Sequence, residues 1–235
     1  QKGIRIIGDI PIYVSMDSAD VWADPKLFEL DEDLKPVNVA GCPPDAFTAD
    51  GQLWGNPLFK WDVMEQDGFS WWLRRVKHLS ELFDVIRIDH FRGFESYYAI
   101  PAGDENAKNG QWKKGPGLKL FNTLEEKLGK RHIIVEDLGF LTPEVLQMVK
   151  DSGYPGMKVL QFAFDGGNDN IYLPHNHIKN SVVYTGSHDN DTILGWALHA
   201  PAHALQYAVE YLRLDQREGY NWGMIKAAWA SVSEL

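Results

Sequence analysis

The sequence predicts an α/β fold of the (β/α)8 TIM-barrel type, and it predicts that the 235 residues hold an incomplete barrel. Short apolar runs alternate with stretches of helical spacing, as in parallel strands joined by helices. Five such runs are present, whereas a full barrel has eight strands and typically about 250 residues. We therefore expect one partial barrel domain over residues 1–235.

The five predicted strands are the runs that are richest in β-branched residues. Most of them are apolar at successive positions, which is typical of strands buried on both faces. They cover residues 4–14, 84–89, 132–136, 157–162 and 181–185.

Helices are predicted between these strands and after the last one. Apolar residues recur at helical spacing over 69–83. Asn122 is a suitable cap for a short helix ending before Gly129, and Thr142 and Pro143 are suited to begin a helix that Gly153 closes. Two more helices are predicted over 202–214 and 222–233.

Two long segments, residues 23–61 and 100–120, show neither the apolar runs of the predicted strands nor the spacing of the predicted helices. They are rich in Pro, Gly, Asp and aromatic residues, and each follows a predicted strand. Long loops in compact domains are usually functional or disordered, and the aromatic content argues against disorder. We predict that both segments are functional loop insertions.

Composition excludes several classes of protein. The 23 Lys and Arg against 33 Asp and Glu give a formal net charge of −10, which disfavours nucleic-acid binding. No apolar run approaches the roughly 18–20 residues of a membrane span. The one cysteine, Cys42, excludes an internal disulfide and fits a reducing, cytoplasmic compartment. The 9 Trp, 9 Tyr and 11 Phe are an unusually high aromatic content.

Ionisable residues lie within or at the ends of four predicted strands. In parallel α/β sheets the carboxyl ends of the strands meet at one edge, where active sites lie. One acid after a strand is most often a cap or a turn residue, but repetition at four strands favours a shared site. The candidates are Asp9, Arg87, Asp89, His90, Glu136, Asp137, His188 and Asp189.

Two kinds of chemistry fit these candidates. Asp89, His90, His188 and Asp189 could bind a divalent metal, although no His-x-His or His-x-x-x-His spacing occurs around them and Arg87 would lie beside the ion. Glycoside chemistry instead needs one carboxylate to attack the anomeric carbon and one carboxylic acid to protonate the leaving oxygen. Loops rich in aromatic residues would supply faces on which sugar rings stack.

Six sequence blocks resemble the 4-α-glucanotransferases, also called amylomaltases or disproportionating enzymes, of the α-amylase-like superfamily. RIDH, VEDLG and SHDND are similar to motifs of the whole superfamily, whereas GCPPDAF…GQLWGNPL is typical of amylomaltases. The resemblance implies a barrel with insertions, of which this chain covers about the third to the seventh strand. The blocks are residues 8–28, 41–62, 83–94, 114–121, 133–139 and 182–192.

The resemblance also implies roles for three catalytic carboxylates. Asp89 in RIDH matches the nucleophile of the family, and Glu136 in VEDLG matches its general acid/base. Asp189 in SHDND matches the acid that stabilises the transition state.

Five further residues match positions that bind substrate or support the site. Arg87 matches the arginine that keeps the nucleophile ionised, and Asp9 is expected to be its partner. His188 matches the histidine that grips hydroxyls of the distorted sugar. Asp45 and Trp54 lie on the amylomaltase-specific loop, which covers the site.

The implied function is that of a glycosyltransferase of the 4-α-glucanotransferase type. It would transfer α-1,4-glucan segments to the 4-hydroxyl of glucose or another glucan by a retaining double displacement, with no metal and no organic cofactor. Its partners would be a maltooligosaccharide or starch-type α-1,4-glucan and a glucose acceptor. Binding to nucleic acid or to a membrane is not expected. The alternatives are an α-amylase-type glucan hydrolase and a truncated, inactive glucan-binding protein, and the sequence leaves the oligomeric state open.

Overall fold

A computed structural model describes residues 2–45 and 48–234 of the chain. The chain divides into two compact units, with the boundary between Gly153 and Tyr154. Within the described ranges, no helix has both the length and the apolar composition needed to span a membrane.

The first unit contains three parallel strands, β1, β4 and β7. Strand β4 lies between the other two, and its register pairs Asp9 of β1 with Arg87 of β4. All four residues of β4 and all three of β7 are buried, as expected from their apolar runs. The strands span Ile7–Ile10 (β1), Val85–Ile88 (β4) and Ile133–Val135 (β7).

A four-stranded antiparallel sheet in the order β3-β2-β5-β6 is also part of this unit. Three of its strands lie wholly or mostly in the segments 23–61 and 100–120, so the description of these segments as loops requires correction. Gly41, Gly55 and Pro57 interrupt the period-2 pattern, and the pairing is made across distant parts of the chain. The strands span Asn38–Cys42 (β2), Gln52–Pro57 (β3), Ser96–Pro101 (β5) and Gln111–Lys114 (β6).

Five α-helices and two 3-10 helices complete the described part of the first unit, and its core includes a cluster of aromatic rings. Trp72 packs against Phe59 and Phe94, with ring centroids 5.9 and 5.2 Å apart, and all three side chains are at most 1% exposed. The α-helices span Ala19–Ala23 (α1), Trp61–Gln66 (α2), Ser70–Leu82 (α3), Leu118–Leu128 (α4) and Pro143–Ser152 (α5), and the 3-10 helices Pro25–Leu27 and Phe91–Phe94.

The second unit has a parallel strand pair followed by three α-helices. Its core contains Phe164, Leu173 and Met224, each at most 1% exposed. The elements are β8 (Gly156–Val159), 3-10 helices at Leu160–Phe162 and Pro174–Asn176, β9 (Ser181–Tyr184), α6 (Ile193–His199), α7 (Ala202–Leu212) and α8 (Tyr220–Trp229).

The five predicted strands are all present, and parallel strands with intervening helices confirm the incomplete (β/α) barrel. Helix α5 begins after the Thr142 cap and ends before Gly153, as predicted. The predicted start of α4 at Asn122 is wrong, because the helix begins at Leu118 after Gly117. The extent of the barrel domain over residues 1–235 stays a prediction.

Candidate active site

Arg87 is the centre of a cluster of three carboxylates. Its side chain is only 8% exposed, because it lies on the buried central strand β4. Its Nη1 donates to Asp9 Oδ1 at 2.6 Å, while its Nη2 lies 2.5 Å from Glu136 Oε2 and 3.1 Å from Asp89 Oδ1. The guanidinium can satisfy several acceptors at once because its donors form a rigid planar fork.

Asp89 and Glu136 follow the carboxyl ends of the neighbouring strands β4 and β7. Backbone hydrogen bonds fix both positions, from Asp89 N to Ile10 O at 3.0 Å and from Glu136 N to Ile88 O at 2.9 Å. Since Asp89 Oδ1 and Glu136 Oε2 share the same Nη2, these oxygens lie less than about 6 Å apart. That limit excludes the widest carboxyl spacings of inverting glycosidases and includes the about 5–5.5 Å of retaining ones.

The two acids have opposite pKa shifts. Burial raises the pKa of Glu136 to about 8, and the hydrogen bond to Asp89 and its negative charge add to this effect, against the charge of Arg87. Burial would also raise the pKa of Asp89, but the hydrogen bond from Glu136 and the charge of Arg87 outweigh it and lower the pKa. At neutral pH one carboxyl is therefore protonated and its neighbour is ionised, which suits a proton donor beside a nucleophile.

His90 connects the acid pair to Trp54. Its backbone adopts a left-handed conformation (φ 50°), and its N–H donates to the Glu136 carboxyl. Its imidazole packs edge-on against the Trp54 indole, with centroids 4.9 Å apart and planes at 88°. Burial lowers the pKa of His90 to about 4, an effect to which the charge of Arg92 adds and which Asp89 opposes. The ring is thus neutral at pH 7.

Trp54 lies on β3 and remains 37% exposed. Its Nε1 donates to Gln52 Oε1 at 2.9 Å, and its ring centroid is 6.3 Å from that of Tyr13. These contacts place a partly exposed indole beside His90 and hence near Asp89.

Asp45 lies in the same segment and is exposed. Its Oδ1 accepts hydrogen bonds from the backbone N–H and the hydroxyl of Thr48, at 2.7 and 3.0 Å. Ala46 and Phe47, which belong to the predicted amylomaltase-specific loop, lie outside the described residues. The role of Asp45 in substrate binding stays a prediction.

His188 and Asp189 belong to the second unit and follow β9. Their side chains are 69% and 64% exposed, and His188 Nε2 lies 3.3 Å from Asp189 Oδ1. The hydroxyl of Ser187 accepts from the backbone N–H of Asp189 at 3.2 Å, and Asn190 Oδ1 accepts from the backbone N–H of Ser187 at 2.8 Å. This turn presents both side chains to solvent, and their assigned roles stay predictions.

The metal alternative receives no geometric support from the described part of the chain. In residues 2–45 and 48–234, no group of three or more His, Cys, Asp and Glu side chains is arranged to hold a metal ion. Arg87 occupies the centre of the carboxylate cluster, where a cation would otherwise lie.

The sequence analysis named His90 as a strand-end candidate and a possible metal ligand but gave it no role beside the two acids, and it did not single out Gln52 or Arg92. A Cβ on Gly93 would lie 3.0 Å from His90 Cδ2 and 2.7 Å from Ile12 Cδ1, so a glycine three residues after His90 is the local signal of its close packing. The hydrogen bond from Trp54 to Gln52 joins residues i and i+2 on one strand face. This two-residue spacing is the sequence signal that could have linked Gln52 to Trp54.

Comparison with known proteins places this geometry in a family. The family profile described as 4-alpha-glucanotransferase matches residues 1–235. The chain is 53% identical over 235 residues to the 4-alpha-glucanotransferase of Clostridium butyricum (99% of this chain, 48% of that protein). It is 50% identical over 240 residues to that of Thermus thermophilus (99% of this chain, 48% of that protein).

Two solved structures of amylomaltases also match this chain. The amylomaltase from Streptococcus agalactiae in complex with acarbose matches with a TM-score of 0.95 at 42% identity, over 98% of this chain and 47% of that one. The amylomaltase of Corynebacterium glutamicum, at 18% identity and a TM-score of 0.80, shares the fold over 97% of this chain and 37% of that one. The chain spans about half the length of the curated relatives it matches, and it belongs to the 4-alpha-glucanotransferase family.

Proposed function

We propose that this chain carries the carboxylates of a 4-α-glucanotransferase that acts by a retaining double displacement. The observation that carries the proposal is the pair Asp89 and Glu136, held by the same nitrogen of Arg87 and shifted in opposite directions in pKa. Family membership supports the reaction type, and the complex of the Streptococcus agalactiae relative with acarbose supports an α-glucan as the ligand.

In the first step Asp89 attacks the anomeric carbon, and Glu136 donates its proton to the departing glycosidic oxygen. The bond between that carbon and the leaving oxygen breaks as the bond to the Asp89 carboxylate forms. Arg87 keeps Asp89 ionised, and the burial of Glu136 retains its proton at neutral pH.

In the second step Glu136, now a carboxylate, removes a proton from the 4-hydroxyl of a glucose or glucan acceptor. The acceptor oxygen attacks the anomeric carbon from the opposite face and releases Asp89, so that the α-configuration is retained. Asp189 is proposed to stabilise the transition state and His188 to bind hydroxyls of the distorted sugar. Trp54 and Asp45 are proposed to favour a sugar over water as the acceptor.

Incubation with maltotriose tests the proposal and separates it from its rivals. A transferase produces longer oligosaccharides together with glucose, an amylase-type hydrolase produces only shorter sugars, and a glucan-binding protein produces neither. Asp89→Asn should abolish nearly all of the transfer and leave the circular dichroism spectrum unchanged. Asp33→Asn, at a turn residue with a 79% exposed side chain, is the matched control.

Transfer that survives in Asp89→Asn would overturn the assignment of the nucleophile. Products that contain only sugars shorter than maltotriose would instead establish hydrolysis. For location we propose the cytoplasm, on the basis of the single partly buried cysteine, and cell fractionation with antibody detection tests it.

A further inference from the structure

Two aromatic rings outside the acid pair form an exposed stacked surface, which we call the aromatic platform (Trp112 and Phe140). Their ring centroids are 6.4 Å apart and their planes differ by 20°. Trp112 is 39% exposed and Phe140 is 65% exposed. Other near-parallel pairs of this unit, such as Tyr13 with Phe59, include a buried ring and belong to the core.

Arg92 lies against the Trp112 ring and holds the backbone of Phe140. Its side chain is nearly inaccessible, at 3% exposure, and its guanidinium carbon lies 3.8 Å from the centroid of the Trp112 ring. Its Nη1 donates to the carbonyl oxygen of Phe140 at 3.0 Å, and its Nη2 donates to Ser96 Oγ at 2.9 Å. The Trp112 ring and the Phe140 backbone are therefore held in place without a ligand, which reduces the entropy cost of placing a ligand there.

The aromatic platform is tied to the strand ends that carry the two acids. Arg92 follows Asp89 by three residues, and Phe140 follows Glu136 by four residues. Four residues span at most about 14 Å. A linear ligand of several units that occupies the acid pair is therefore long enough to extend to the platform.

We propose that Trp112 and Phe140 form a saccharide-binding platform, on which a pyranose ring of a longer α-glucan stacks while another part of the same glucan lies at the acid pair. This inference rests on the proposed function, because it takes the same substrate. Flat, exposed aromatic faces suit the C–H surface of a neutral sugar. Both terminal nitrogens of Arg92 are engaged within the protein, so the platform selects for an apolar face and not for an anion.

Calorimetric titration of the 235-residue chain with maltoheptaose and with maltotriose tests the proposal. All proteins carry Asp89→Asn to prevent turnover. Phe140→Leu keeps an apolar side chain but removes the aromatic face, and Phe140→Tyr keeps that face. Trp22→Leu removes an aromatic ring of α1 that is 86% exposed and serves as the matched control.

We expect Phe140→Leu to weaken maltoheptaose binding by about fivefold to tenfold, the size of one aromatic contact. Maltotriose binding should change by less than about twofold, because the shorter sugar occupies the acid pair without extending to the platform. Phe140→Tyr and Trp22→Leu should bind both sugars as the parent does.

If the parent binds both sugars and Phe140→Leu binds maltoheptaose with unchanged affinity, the proposed saccharide-binding platform is refuted. The proposed function is not affected by that result. Equal weakening for both sugars overturns the platform as well, since Phe140 would then act at the acid pair. If the parent binds neither sugar, both proposals fail. A parent dimer that Phe140→Leu converts to a monomer in sedimentation would identify a second copy of the chain as the occupant instead.

Discussion

Glu136→Gln should make the protein more stable at alkaline pH, in proportion to the raised pKa of the acid that it replaces. Glutamine has nearly the same shape as glutamic acid and retains a donor toward Asp89, but it cannot ionise. The side chain of Glu136 is only 16% exposed, so its ionisation in the folded protein places a charge in a poorly solvated position beside Asp89. The substitution removes that cost and leaves the packing intact.

The magnitude follows from the two pKa values of Glu136. In the unfolded chain the carboxyl has its ordinary pKa of 4.5, and in the folded protein the pKa is about 8. Between these values the unfolded chain binds fewer protons than the folded one, so the free energy of unfolding falls as the pH rises. From pH 5 to pH 8 we expect the parent to lose about 3–4 kcal/mol relative to Glu136→Gln.

Urea unfolding of both proteins at half-unit intervals from pH 5 to pH 8 measures this difference. The difference in stability between the two proteins should already grow at pH 5 and increase by roughly 1 kcal/mol per pH unit up to pH 8. Glu105→Gln, at an exposed residue, should follow the parent at every pH. Equal pH dependence in the parent and in Glu136→Gln would refute the reasoning, since it would show that Glu136 does not retain its proton in the folded state.

Two further substitutions test the surroundings of the acid pair. Arg87→Lys replaces the planar guanidinium that contacts three carboxyl groups, so the pKa of Asp89 should rise and kcat/KM should fall by about tenfold or more at pH 5. A pH–rate profile measures this fall, and an acid limb that is the same in the variant and the parent would contradict it. Trp54→Ala should raise the ratio of hydrolysis to transfer from maltotriose by about threefold to tenfold, because water gains access. Trp22→Ala is its control, and an unchanged product distribution would argue against a role for Trp54.

The acid pair could be predicted from the sequence because its placement follows from local pattern and general topology. Asp89 and Glu136 each follow an apolar run, and parallel strands bring their carboxyl ends to one edge. Helix α5 was equally predictable, since Thr142, Pro143 and Gly153 signal its ends locally.

The antiparallel sheet and the setting of His90 could not be predicted in the same way. Strand β2 pairs with β5, some 60 residues later in the chain, and glycines and a proline obscure the alternation of β2 and β3. The His90 backbone is left-handed, and its ring packs beside Gly93 and Trp54, contacts that join distant parts of the chain. Helix α4 begins at Leu118 without a side-chain cap. The helix start was therefore predicted wrongly at Asn122, which is the better capping residue.

The arrangement around Arg87 also has a consequence for the balance of formal charge. One guanidinium contacts three carboxyl groups, and with Glu136 protonated the cluster carries one net negative charge. A glucan is neutral when it binds, but its anomeric carbon becomes cationic as the glycosidic bond breaks. Because Glu136 gives up its proton in the same step, the negative charge of the cluster grows as the positive charge develops beside it, and a neutral ligand in the ground state does not gain the same compensation.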